Sequence, residues 1–169
     1  MLESNELARF EAAVLPHLDT AYTLARYLTR NDHDAEDVVQ DACVRALKYF
    51  DTFRGEQGGG PSARAWLLTI VRNTAYTWHK SRRNDALTTE FDETAHSHAV
   101  AEADPDAKET LGRALERLAP EFREVIVLRE LQGLSYKEIS DVAGVPVGTV
   151  MSRLSRARAH LQRVLRKED

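Results

Sequence analysis

The chain has 169 residues, 43% of them hydrophobic and 30% charged, with a formal net charge of −4. That length suits one ordinary domain or two small ones; without a long apolar run or a signal-peptide pattern, neither membrane insertion nor export is expected, and the cytoplasm is the expected compartment. One cysteine, Cys43, rules out an internal disulfide, and the mildly acidic total argues weakly against a nucleic-acid partner.

The total hides a strong segregation. Asp32, Asp34, Glu36, Asp37 and Asp41 form an acidic block. From Pro61 to Arg83 every charge is basic, and from Asp85 to Glu109 every charge but Lys108 is acidic. The C-terminal part is basic again. For polyanionic partners such segregation matters more than the sum.

Residues 7–29 carry a helical stripe of Leu18, Ala21, Tyr22, Ala25 and Leu28, with Pro16 near an entry or a kink. Asn31, Asp32, His33 and Asp34 form a capping cluster that opens the next helix. Its buried face is predicted from Ala35, Val38, Val39, Ala42, Ala46, Leu47 and Phe50. Cys43 borders that face and is expected to act as a small hydrophobe rather than a reactive thiol. The opposite face shows Asp37, Gln40 and Asp41. Acidic groups near a helix start suit the macrodipole, and an exposed acidic and amide patch also suits a partner protein.

Residues 50–61 form a glycine-rich loop with Phe50 and Phe53 at its base. Three consecutive glycines are too costly for a helix, and no Gly-Lys-Ser/Thr follows, so this is not a phosphate cradle. Ser62 is placed to cap a helix running to about Arg83. Trp66, Leu67, Ile70, Val71, Thr74 and Trp78 include its buried stripe. Thr69, Arg72, Asn73, Tyr76, His79, Lys80 and Arg83 lie on the other side. Cations and a ring on one face suit a nucleic-acid strand, because charges track phosphates and rings stack on bases. The plainer reading keeps the tryptophans in the core and the cations in water.

Residues 84–107 lack periodicity and are acidic, as a linker would be. His96 and His98 beside Asp92 and Glu93 lack the further spaced ligands a metal site needs, and no metal or cofactor is expected. Glu109 to Leu118 is helical, and Pro120 opens an apolar helix that Gly133 ends. Ser135 and Glu138 then make a capping box. Gly144 suits a left-handed helix end, and Pro146 forbids continuation. A second helix starts near Gly148, with Val150, Leu154, Ala157 and Leu161 inward and Ser152, Arg153, Arg156 and Arg158 outward. The order of box, glycine, proline and basic helix describes a helix-turn-helix. Charge alone would equally suit a helical hairpin with a solvated basic face. The expected fold is all-α, with two small helical domains, residues 1–84 and 109–169, joined by a flexible acidic linker, residues 85–108. Nothing has the paired groups and spacing of a catalytic site, and no enzyme is expected.

Five stretches in order resemble the extracytoplasmic-function sigma factors of bacterial RNA polymerase: DAEDVVQDACVRAL, FDTFRGE, WLLTIVRNTA, LAPEFREVIVLRELQGLSYKEIS and VPVGTVMSRLSRAR. The resemblance implies that Asp37, Gln40 and Asp41 grip the β′ clamp helices of core RNA polymerase. It implies that Phe50, Phe53, Ile70, Arg72, Asn73, Tyr76 and Lys80 handle the −10 promoter element. Thr149, Ser152, Arg153, Ser155, Arg156 and Arg158 would read the −35 element while the same domain leans on the β flap. An anti-sigma factor is the expected further partner. Met151 stands where many relatives carry arginine and Ser155 where some carry a large aromatic, so the −35 preference does not transfer. A stand-alone helix-turn-helix regulator would leave the helix from Asp34 to Phe50 and the basic aromatic helix without a task. A sigma-like decoy would have no use for Arg153, Arg156 and Arg158.

Overall fold

The computed structural model describes residues 3–88 and 107–167, and among these the only regular structure is helical. Helix α1 (Ser4–Val14) gives way to a 3-10 turn, Leu15–His17, with Pro16 inside it. Helix α2 (Leu18–Thr29) follows. The stretch expected as one helix is therefore two, because proline cannot donate to the preceding turn. Helix α3 (Asp32–Lys48) is capped by Asn31, whose side chain accepts the Asp34 N–H at 3.0 Å.

After two short 3-10 turns, helix α4 (Ala63–Thr88) starts under Ser62, whose hydroxyl accepts the Ala65 N–H at 3.1 Å. It outruns the expected end at Arg83. Its 26 residues span about 39 Å at 1.5 Å per residue. Helix α5 (Ala107–Glu116) begins inside the expected linker, and the centre of that linker, with His96, His98, Asp92 and Glu93, lies outside the described residues. Helix α6 (Pro120–Ile126) starts on its proline and widens into a π turn, Val127–Leu131. Helices α7 (Tyr136–Ala143) and α8 (Val147–Lys167) complete the chain.

Helices α2, α3 and α4 pack on one another through Leu24, Leu28, Val38, Ala42, Leu67, Leu68 and Val71, all buried. Helix α8 packs on α5, α6 and α7 through Leu115, Val125, Ile139, Val150 and Leu154. The two groups share one continuous apolar cluster, because α6 lies on α2 and α7 on α4. Small residues on α3, Ala35, Ala42 and Ala46, let its backbone approach its neighbours. Leu47, expected in that stripe, is 40% exposed. Twelve residues beyond Ala35 places it about 120° around the helix from the buried line.

Candidate nucleic-acid interface

The helix-turn-helix is built by local chemistry. Ser135 Oγ accepts the Glu138 N–H and Glu138 Oε1 accepts the Ser135 N–H, both at 3.1 Å, and α7 starts there. Gly144 ends it with a φ of 69°, a conformation that a Cβ would strain. The Ser140 hydroxyl donates to the Val145 carbonyl at 2.5 Å, which holds the turn closed. The Pro146 carbonyl then accepts the N–H groups of Thr149 and Val150, and α8 begins.

Val150, Leu154 and Ala157 point α8 into the core. Ser152, Ser155 and Arg156 are exposed, while Thr149 and Arg153 are half-buried. Arg153 and Arg156 make no ion pair among the described residues, so their guanidinium groups are available to an anion. Arg158 is different. Its Nη2 donates to Glu130 Oε1 at 2.6 Å and its Nε at 3.0 Å, and this bonding raises its pKa. The expected six-residue reading face therefore holds three residues exposed, two half-buried and one tied to the π turn.

The α4 face departs further from expectation. Asn73 and Lys80 are exposed and Ile70 is half-buried. Arg72 and Tyr76 are not open to solvent together with them. Arg72 Nε donates to Glu124 Oε1 at 2.6 Å, the Tyr76 hydroxyl donates to Glu124 Oε2 at 3.1 Å, and the Arg72 guanidinium lies 4.2 Å from the Tyr76 ring centre. Glu124 belongs to α6 and is fully buried. Burial, then the charge of Glu124, pushes the Tyr76 hydroxyl well above its usual range. A buried carboxylate needs a cation and donors to offset its lost hydration, and α4 supplies both.

The other aromatic positions have also closed on themselves. Phe50, expected at the −10 element, is buried at 7% exposure, edge-on to Phe10 and stacked on Phe53. Phe53 is half-buried with its ring centre 4.9 Å from that of Trp66. Rings without a base to stack on satisfy each other. Trp66 thus sits at the edge of the core, not its centre.

On α3, Asp37 and Gln40 are exposed, and Asp41 is half-buried in an ion pair with Arg45 at 3.3 Å. One turn further along the same face, Val44 is 67% exposed. An apolar residue on a polar face was the signal for it in the sequence. Cys43 is half-buried and burial pushes its thiol pKa up, as suits a packed side chain.

Three charged residues carry the contact between the helix groups, a role the sequence did not show for any of them. Glu124 is one. Glu138 is the second: Arg64 Nη2 and the Ser62 hydroxyl both donate to it at 3.2 Å. Arg123 is the third. It donates to the carbonyls of Leu115, Glu116 and Leu118 at the end of α5, and also to Tyr27 of α2 at 3.2 Å. The one signal for Arg123 and Glu124 was an Arg-Glu dipeptide at the head of an apolar run.

Residues 13–84 match the family described as Sigma-70 region 2, and residues 108–161 match Sigma-70, region 4. The ECF RNA polymerase sigma-E factor of Haemophilus influenzae is 35% identical over 82% of this chain and 77% of its own length. The chain belongs to the extracytoplasmic-function group of sigma-70 factors. The ECF RNA polymerase sigma factor SigE of Mycolicibacterium smegmatis is 34% identical over 95% of this chain, which spans 63% of that protein's length. Among solved structures, the sigma factor RpoE of Bartonella quintana, in complex with the anti-sigma factor NepR, superposes with a TM-score of 0.78 at 31% identity, over 94% of this chain and 97% of that one. CnrH, in complex with the cytosolic domain of CnrY, gives 0.69 at 31% identity, over 95% and 89%. In this sigma factor the region 2 match contains every candidate on α3 and α4, and the region 4 match contains every candidate on α8. The described residues hold no cluster of three or more metal-ligating side chains, and no described helix is long and apolar enough to cross a membrane.

Proposed function

We propose that this ECF sigma factor binds core RNA polymerase in the cytoplasm, recognises promoter DNA through two helical units and starts transcription of a signal-responsive gene set. The division into residues 1–84, 85–108 and 109–169 belongs to this reading. Asp37, Gln40 and Asp41 meet the β′ clamp helices, and Val44 extends their face with an apolar contact. Thr149, Ser152, Arg153, Ser155 and Arg156 face the −35 element, and Arg158 joins them once it leaves Glu130. Phe50, Phe53, Ile70, Arg72, Asn73, Tyr76 and Lys80 serve the −10 element. The observation that carries the reading is the pairing of an unsatisfied basic recognition helix with a second cationic and aromatic helix in a chain of this group.

The contacts of Arg72 and Tyr76 add a requirement. Both are held by Glu124, so α6 must leave α4 before either can meet a strand. The relative co-crystallised with the anti-sigma factor NepR makes a similar protein the expected partner of this chain.

Run-off transcription with purified core polymerase and genomic fragments tests the proposal. Transcripts that start at defined sites only when the chain is added support it. No initiation at any fragment, with the chain folded, rejects it.

A further inference from the structure

Met151 is 53% exposed on α8, outside the line of its buried residues, and Val147, one turn earlier, is 40% exposed. Both lie at the N-terminal end of the helix, the end whose side chains reach base edges when a recognition helix docks. The inward positions Val150, Leu154 and Ala157 supply the core contact of α8 among the described residues, and Met151 lies outside that core. Its neighbours on the outer face, Ser152 and Ser155, are short and exposed, so Met151 carries a longer side chain than either. Arg156, one residue further on, is exposed and makes no ion pair among the described residues, which fits this face to a polyanion.

A thioether has no hydrogen to donate and is a weak acceptor. It cannot make the paired bonds to guanine that arginine makes, nor neutralise a phosphate. Against the polar edge of a G·C pair it would desolvate groups without replacing their partners. The one apolar feature that the major groove offers is the 5-methyl group of thymine. We propose that Met151 is a base-reading residue of this sigma factor, selecting a thymine in the upstream promoter element by contact with its 5-methyl group. The inference rests on the proposed reading of α8 as the helix that reads that element.

The test uses the full chain with core polymerase and a duplex library randomised across the upstream element. Recovered duplexes are then resynthesised with each thymine replaced in turn by deoxyuridine, which lacks only the methyl group. At one position or more, the replacement should weaken binding by about fourfold, the loss expected for one buried methyl. Met151→Ala should bind the deoxyuridine and thymine duplexes equally. Met151→Arg should move the selected base at that position towards guanine, which guards against a merely misfolded alanine variant. Equal binding of every deoxyuridine duplex by the wild-type chain overturns the role of Met151 while leaving the reading of α8 intact. An identical methyl effect in wild type and Met151→Ala does the same. A library from which no sequence is enriched overturns both.

Discussion

Arg30 ends α2 with a φ of 63°, the one left-handed non-glycine backbone among the described residues. Its positive charge also bears on Arg123, whose pKa is lowered by burial first and by Arg30 second. Arg30→Gly removes both the Cβ strain and the like charge, and should raise stability by about 1 kcal/mol; urea unfolding checks this. Glu138 offers a pH-dependent case. Burial works to raise its pKa, but the Ser135 N–H, Arg64 and Ser62 outweigh that and hold the carboxyl below its usual range. A carboxyl with a depressed folded pKa stabilises fully above its unfolded value, about 4.3, and loses that contribution as pH falls through the folded one. The stability gap between wild type and Glu138→Gln should therefore be widest at neutral pH and shrink below about pH 4.3. A constant gap across an acid titration would assign the contact to shape rather than charge. The capping role of Glu138 was plain in the sequence, since it depends on a neighbour three residues away. Its bonds to Arg64 and Ser62 were not, since 74 and 76 positions separate them.

At the scale of elements, chain-local chemistry was legible and pairing was not. Asn31, Ser62, Pro120, Ser135 and Gly144 each mark a helix end that the structure keeps. The α4 stripe was legible in its centre, because periodicity reports which face is buried: Leu67, Val71 and Thr74 are buried, while Trp66, Ile70 and Trp78 at its edges are half-buried. Periodicity does not report what lies over the other face, and so the partner of Arg72 and Tyr76 was invisible. Helix α3 shows the reverse case. Its Asp37, Gln40 and Val44 are exposed, and a mid-helix valine 67% open to solvent adds little to the core of the described residues. Val44→Glu should leave unfolding within about 0.5 kcal/mol of wild type. It should also weaken core polymerase binding about tenfold or more, as a charge set into the middle of an apolar contact does. Titration calorimetry or a fluorescence competition assay reads the affinity, and unchanged binding would remove α3 from the polymerase interface.

In the whole molecule, the same side chains have two possible partners. Arg72 and Tyr76 are held by the buried Glu124, while Arg64 is held by Glu138, so two carboxylates of the C-terminal helices sit on cations of α4. The apolar cluster runs across the same boundary. The free chain should therefore unfold in one cooperative transition, since neither helix group is complete without the other's surface. Glu124→Ala leaves the largely buried Arg72 without its anion, and removing one partner of such a pair costs about 3 kcal/mol. That loss falls on the closed arrangement alone. Calorimetry of the variant should show two transitions where the wild type shows one. Dyes placed at Leu47→Cys and Arg163→Cys in a Cys43→Ser background should report a longer mean separation in the variant than in the unaltered latch. Adding core polymerase should lengthen the separation in both. Replacing both partners, with Arg72→Met and Glu124→Leu, leaves no orphaned charge and should restore the single transition. A variant that unfolds in one step at unchanged separation would mean that the apolar boundary alone holds the halves together. In that case Arg72 and Tyr76 would be free to exchange Glu124 for a phosphate without any opening of the chain.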